Sequence, residues 1–485
     1  MSSQESDRAR PAPLARDALP ASPVAALFPD APQRRQLEDW LSGQLLEACA
    51  RVALGPVTPT FEPQRMRAAL SAIDFESPRP LEPLLAWTIE QLETGVVHLN
   101  NPRYFGLFNP APSFPAQCAD RIAGAFNPQL ASSGTSPAAV EIEAHVIRAL
   151  ARRAGLPPES VGHFTTSGSE ANATALVCAL TRAAPQFGVD GVHAFGAPVA
   201  IYTSRDCQPG WFKVAHQCGI GRAALRLVQT DGEGRMHAGA LREAIASDRA
   251  AGRVPVLISA TAGTTNAGVI DPLHECAAIA REQGLWYHVD AAWGGAALAS
   301  ERLRGLLSGI ERADSITIDA HKWLATTMGC AMYITSRAPL LSEAFHASTS
   351  FMPSSLASLD PYLNTVQWSR RFLGLRLFLA LGAAGWSGLG AHVERSVAVI
   401  EQVRERLLAR GWSVVNDSAL AVLDALPPKD CDVRALVRQV VASGRAWVAP
   451  ASFERRDVVR ICATHGETSE SDVEELLEAL DAAAA

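Results

Sequence analysis

The 485 residues exceed what a single core usually supports, so one large domain with at least one smaller one is expected. Hydrophobic residues make up 48% and charged residues 19%, the balance of a soluble globular protein, and a net charge of −7 argues against nucleic-acid or membrane partners. The nine cysteines are odd in number, scattered and without a CxxC pair, which points to reduced thiols in a cytoplasm and away from a disulfide framework or a metal site.

Residues 1–25 are rich in Ser, Arg, Ala and Pro, with too few large apolar groups to offset chain entropy, and read as a disordered tail. The opening MSSQESDRARPAP lacks an apolar h-region, and no apolar run is long enough to span a bilayer, so the expected location is cytoplasmic. Residues 26–99 carry apolar positions at helical spacing, notably Leu37, Trp40, Leu41 and Leu45, then Leu81, Leu84, Leu85 and Ile89. They read as a helical arm that packs either on a second subunit or on its own domain. From Asn100 to Pro137 the chain is aromatic and rich in Pro and Gly, which makes either a hydrophobic plug or a substrate mouth. A helix over Pro137–Ala154 follows, capped by Thr135 or Ser136.

Val161–Thr166 then leads into Ser167-Gly168-Ser169-Glu170-Ala171-Asn172, which opens a helix running through Leu180. Small residues ahead of a helix expose backbone N–H groups, add hydroxyl donors and sit at the positive end of the helix dipole. That is a phosphate cradle, or simply a capped helix. Strands are predicted at Val199–Thr203, Ala224–Val228, Val256–Ala260, Trp286–Asp290, Ser315–Ile318 and Ala331–Thr335, alternating with helical segments such as His237–Arg249 and Pro272–Gln283. The alternation indicates an α/β domain with a mostly parallel sheet over residues 100–375. A long helical region near Arg370 and short strands at Trp412–Val415, Ala419–Leu423 and Val458–Cys462 give a small α+β domain over residues 376–485.

Only three lysines occur among the 43 basic residues, Lys213, Lys322 and Lys429. Arginine stays protonated, whereas a desolvated lysine can lose its proton and attack a carbonyl, so a lysine kept against this bias is a candidate nucleophile. Lys429, in the loop Pro427-Pro428-Lys429, suits a surface role. Lys322 instead follows a strand that ends at Asp319, and strand ends are where α/β sheets bind ligands. Asp290 also ends a strand, and Ala291 and Ala292 follow it; it is either a helix cap or a buried carboxylate that meets a cation. Lys322 lies 32 positions after it. A phosphate cradle, an acid and a lysine at three strand ends are what pyridoxal 5′-phosphate requires for its phosphate, its pyridinium nitrogen and its aldehyde.

The motifs TTSGSEANATAL, SATAGTTNAGVIDPL, WYHVDAAWGG, DAHKWL and QWSRRFLGLRLF occur in that order and resemble the group II pyridoxal-phosphate amino-acid decarboxylases, the family of the aromatic-amino-acid, glutamate and cysteine-sulfinate decarboxylases. The resemblance runs from about Asn100 to Leu379. It implies a fold type I (aspartate-aminotransferase-like) homodimer with shared active sites and an arm at the dimer contact. It further implies Lys322 as the Schiff-base lysine, Asp290 as the pyridinium partner, Ala292 beneath the ring, and Ser167, Gly168, Ser169 and His321 around the phosphate. Thr264 and Asp319 match positions near the cofactor, and Ser354, in STSFMPSSL, is placed to reach a neighbour's phosphate.

One departure stands out. Where the family has a histidine that stacks on the pyridine ring and assists proton transfer, this chain has Gln208, which can stack but cannot serve as a general acid near neutral pH. His216 is an alternative donor within a helical segment. Tyr362 is the candidate for the tyrosine that many relatives carry on a mobile loop. The implied reaction is decarboxylation of an L-amino acid through a Schiff base and a quinonoid. The alternative, suggested by Gln208, is decarboxylation coupled to oxidative deamination, giving an aldehyde, ammonia and hydrogen peroxide.

Overall fold

The computed structural model describes residues 26–109, 111–347 and 360–485. These form two compact units, residues 26–55 with 59–97, and residues 56–58 with 98–485. The first unit holds helices α1 (Ala31–Leu54), α2 (Pro63–Ser71) and α3 (Leu81–Gly95). α1 starts where it does because the Asp30 carboxylate accepts the Gln33 N–H at 2.8 Å and Pro32 fits the first turn. Arg51 of α1 donates to Glu93 of α3 at 2.8 Å, while Leu45, Leu46, Leu54 and Leu92 stay exposed.

In the second unit a seven-stranded sheet has the order β1-β7-β6-β5-β4-β2-β3. Its strands are β1 (Val161–Thr165), β2 (Val199–Ser204), β3 (Leu225–Val228), β4 (Val254–Thr261), β5 (Trp286–Asp290), β6 (Ser315–Asp319) and β7 (Ala331–Thr335). β2 to β6 run parallel, and β7 lies antiparallel to both β6 and β1. Two reversals return β1 to the direction of β6, so Thr165, Asp290 and Asp319 all end at one edge of the sheet. Every residue of β2, β5, β6 and β7 is buried, as a sheet covered on both faces demands.

Alternation along the strands builds two cores. Tyr202, Ile258 and Val289 pack on one side with Val146 and Ile147 of helix α5 (Pro137–Arg153), whereas Ile201, Leu257 and Trp286 pack on the other with Leu176 and Leu180 of helix α6 (Gly168–Ala183). A second, antiparallel sheet has the order β10-β11-β9-β8, with β8 (Ser413–Val414), β9 (Val422–Leu426), β10 (Ala449–Phe453) and β11 (Arg456–Cys462). β10 is absent from the sequence prediction because Pro450 and Ser452 are poor strand formers; its buried positions are Ala449, Ala451 and Phe453, a period of two in weak residues. The strand expected at Ala419–Leu423 begins at Val422 instead. The long helix begins at Leu375 rather than near Arg370. Among the described residues no helix is long and apolar enough to cross a membrane.

The aromatic stretch after Asn100 is carried by the small sheet. Phe105 donates its N–H to the Trp447 carbonyl at 2.9 Å and accepts from the Cys462 N–H at 3.0 Å, so this backbone extends the sheet and delivers Phe108 toward the large one.

Arg370 is occupied by an ion pair that displaces it from helical duty. Its Nη2 donates to Glu143 Oε2 at 2.6 Å, its Nη1 to the Phe164 carbonyl at 2.9 Å, and Glu143 Oε1 accepts the Gly374 N–H at 2.9 Å. Both side chains are buried, and removing one partner of such a pair strands the other charge. Glu143→Ala is therefore expected to cost about 3–5 kcal/mol, read as a lowered urea midpoint. A midpoint equal to wild type would mean that the pair does not hold β1 to α5.

Candidate active site

The ends of β1, β5 and β6 surround a cavity of about 200 Å³. Ser167, Gly168, Ser169 and Asn172 line it from the first two turns of α6, Asp290 and Ala292 from the end of β5, and Asp319 and Lys322 from the end of β6. Gln208, Thr261, Gly263, Thr265, Phe108 and Trp293 complete the wall.

Each side chain is positioned by local chemistry. Ser167 caps α6 by accepting the Glu170 N–H, leaving other first-turn N–H groups of this 16-residue helix for an anion. Gly168 is required: a Cβ there would come within 2.8 Å of both Asp319 carboxylate oxygens. Gly263 has φ +95°, and a Cβ on it would press into Trp293 at 2.7 Å. Trp293 in turn is stacked between Phe108, at 4.1 Å between centroids, and Trp323, at 4.5 Å.

Lys322 Nζ lies 3.0 Å from Asp319 Oδ2, and the buried Asp319 Oδ1 has no partner among the described residues. Asp290 accepts from Asn172 Nδ2 at 2.8 Å and from the Ala292 N–H at 3.2 Å. His288 sits behind it, and burial pushes this imidazole down to about 4.

The donor set fits pyridoxal 5′-phosphate. Hydroxyls and helix N–H groups would hold its phosphate, Lys322 its aldehyde carbon, and Asp290 its ring nitrogen, with the small Ala292 leaving room for a flat ring. No other lysine competes, because Lys213 and Lys429 are both exposed.

The crystal structure of mouse CSAD superposes with a TM-score of 0.88 and 26% identity, covering 94% of this chain and 99% of that one. Rhodiola rosea 4-hydroxyphenylacetaldehyde synthase does so at 0.85 and 25%, covering 94% and 98%. The architecture is thus that of the fold type I pyridoxal-phosphate enzymes. The family model described as the pyridoxal-dependent decarboxylase conserved domain matches residues 63–419, and the chain belongs to that family. Curated relatives include the mouse aromatic-L-amino-acid decarboxylase, 31% identical over 70% of this chain and 74% of the relative, and the Bos taurus acidic amino acid decarboxylase GADL1, 33% identical over 74% and 70%. The protein is accordingly a pyridoxal-phosphate-dependent carboxy-lyase of the amino-acid decarboxylase class.

Several residues carried over from the motifs do not line the cavity. Thr264 is buried one position from the lining Thr265, and its hydroxyl accepts the Val269 N–H at 3.0 Å, so it shapes the loop. His321 turns its Nδ1 to the Cys330 carbonyl at 2.9 Å, and its Nε2 is 3.8 Å from Asp319; burial lowers its pKa. His216 is exposed on helix α7 (Gly210–Gln217). Tyr362, the candidate for the mobile-loop tyrosine, is buried in a 3₁₀ turn with its ring 5.2 Å from Trp368. Ser354 lies outside the described residues.

Two further residues at or beside the cavity are not singled out individually by the sequence. Asn172 closes the quoted motif, three positions after Ser169 and so on the same helix face, a spacing that could have flagged it. Arg460 of β11 has no such signal. It is buried, its guanidinium carbon is 4.5 Å over the Phe108 ring, its Nη1 donates to the Gly106 carbonyl at 2.9 Å, and its Nε and Nη2 have no partner among the described residues.

Lys322→Ala is expected to abolish the visible absorbance of the lysine-bound cofactor. An unchanged spectrum would overturn the assignment of that lysine. Gly168→Ala, which pushes a methyl into the Asp319 carboxylate, is expected to weaken cofactor affinity by about tenfold or more, some 1.4 kcal/mol, measured by absorbance titration of the apoprotein.

Proposed function

We propose that this chain is a homodimeric L-amino-acid decarboxylase that releases carbon dioxide and an amine, with Lys322, Asp290 and the Ser167–Ser169 cradle as its cofactor-holding groups. The observation that carries the reading is the convergence of those three groups on one cavity, on a chain whose other lysines are exposed. When bound, the cofactor supplies an electron sink for the pair left by the departing carboxylate.

The residues divide the remaining work. Asp290 holds a proton on the ring nitrogen, which keeps the ring electron-poor where charge develops. Phe108 and Trp293 form an apolar wall that excludes water. Arg460 and Lys322 both lie over the Phe108 ring, so two cations stand on this wall beside the Asp290 and Asp319 carboxylates. Gln208 takes the ring-stacking position. Its Oε1 is held by the Gly210 N–H, and the amide has no proton to give at neutral pH.

The homodimer is supported by exposed apolar side chains. Leu46 and Leu54 on α1 are 70% and 86% exposed, and Phe114 and Phe126 of helix α4 (Phe114–Phe126) are 70% and 82% exposed. Sedimentation should give about twice the 51.6 kDa chain mass. A catalytically active monomer would contradict the shared site.

A second reading has its own support. Gln208 lines the cavity where the family has a histidine general acid, and Lys322 Nζ is a cavity group that can return a proton to substrate carbon. Losing a dedicated proton donor typically costs about 10² to 10⁴ in rate, enough for a slow reaction with dioxygen to compete. Decarboxylation with oxidative deamination would then yield aldehyde, ammonia and peroxide. The test is to supply L-amino acids under air and quantify amine, aldehyde and peroxide together. Amine in excess is expected. Stoichiometric aldehyde and peroxide would instead establish the oxidative route, and Gln208→His should then restore amine.

A further inference from the structure

Behind Asp290 lies a chain of hydrogen bonds whose direction is fixed at both ends. Trp286, His288 and Asp290 alternate along β5 and so share one face; Ser315 and Thr317 share the same face of β6, with His288 opposite Ser315 and Asp290 opposite Thr317. α6 lies over this face and brings Asn172 down onto it.

The Trp286 indole can only donate, and it donates to Ser315 Oγ at 2.8 Å. The Ser315 hydroxyl hydrogen is then free for His288 Nδ1, at 2.8 Å. With Nδ1 accepting, the proton of the neutral ring sits on Nε2, which donates to Asn172 Oδ1 at 3.0 Å. Thr317 Oγ1 donates to that same oxygen at 2.7 Å. The amide oxygen is thereby engaged twice as an acceptor, and the Asn172 amide nitrogen faces Asp290 Oδ2 at 2.8 Å. With Asp290 ionised, as the proposed ring-nitrogen partner, the carboxylate cannot donate and the indole cannot accept, so no reversed pattern satisfies every member. All six side chains are buried, where each bond polarises the next.

We propose that Asn172 is the positioning residue of this site: as the last link of a one-way hydrogen-bond chain from Trp286, it holds Asp290 as a fixed acceptor and so keeps the proton on the cofactor's ring nitrogen. This rests on the reading of Asp290 as the ring-nitrogen partner. Two alternatives for the pair Asn172 and Asp290 are ruled out by the contacts. The amide cannot turn over, because its oxygen would then face a carboxylate and its nitrogen two donors. The carboxylate cannot take its proton from behind, because every group there already points a hydrogen at an acceptor. The ionisable groups around Asp290 are His288 behind it, Cys207 beside it, and Lys322 and Asp319 across the cavity. Burial leaves His288 neutral in the physiological range and pushes the Cys207 thiol up to about 12, so neither supplies a competing charge there.

The experiment uses holoenzyme loaded with pyridoxal 5′-phosphate labelled with ¹⁵N in the ring and follows the ring-nitrogen shift by solid-state NMR. Wild type is expected to show a protonated nitrogen that is invariant from about pH 6 to about pH 9. Asp290→Ala should lose that proton. Asn172→Leu, which removes the three hydrogen bonds of the amide while filling its space, and Asn172→Ala, which removes them and leaves a gap, should each let the nitrogen titrate within that range. In both, kcat should fall by about 10- to 100-fold, as for outer hydrogen-bond partners generally, while KM moves little. Should Asn172→Leu fail to fold, the smaller Asn172→Ala decides alone. A wild-type shift at every pH in the Asn172 variants, with the proton lost in Asp290→Ala, overturns the positioning role. A wild-type shift in Asp290→Ala overturns the reading of Asp290 itself.

Discussion

A carboxylate buried at the end of a strand is tolerable only if enough donors converge on it, and Asp290 imposes that demand on the whole large sheet. β5 must end where it does, β6 must lie beside it in a register that sets Thr317 opposite, and α6 must start close enough for Asn172 to reach down. Each of these requirements also builds another part of the cavity. The same end of β6 carries Asp319 and Lys322, and the same start of α6 carries the hydroxyls of Ser167 and Ser169. Stability and chemistry here share their contacts, so the residues that make the acid affordable to bury are the ones that assemble the site.

The second sheet contributes through a strap to Phe108, and its flanking segments also hold the loop that carries Gly263 and Thr265. Phe105 is hydrogen-bonded between Trp447 and Cys462, and three residues later Phe108 reaches the cavity wall under the guanidinium of Arg460. One wall of the cavity is therefore anchored to a different sheet from its floor. The width of the mouth depends on how the two sheets hold together, and not on the large sheet alone.

What could be read from sequence follows from how local each signal is. Lys322, Asp290 and the Ser167–Ser169 turn were legible because strand ends, small residues and a lone lysine are features of short stretches. The mostly parallel sheet was legible because buried strands are continuous apolar runs between helical patterns. β10 was not, since Pro450 and Ser452 hide a half-buried strand whose partner supplies the structure. Tyr362, His321 and Thr264 show the limit of motif matching, which carries over a position along the chain but not the direction of a side chain. Asn172 sits in a legible motif, but its reach to Asp290 and the packing of Arg460 on Phe108 join segments more than a hundred residues apart, which no window of sequence contains.

The near absence of lysine has a practical side. Lys213 and Lys429 are exposed, whereas Lys322 is shielded within the cavity, so the folded chain presents two lysine amines to the outside and one to the cavity. Amine-directed reagents can block the outer pair while leaving the inner one intact, and on the proposed assignment a reductant that fixes the cofactor to Lys322 marks a single position. With so few lysines, cleavage after lysine yields large fragments, and the mark falls at one junction alone. The arginine bias thus makes occupancy of this site countable, one covalent label per chain, without any measurement of turnover.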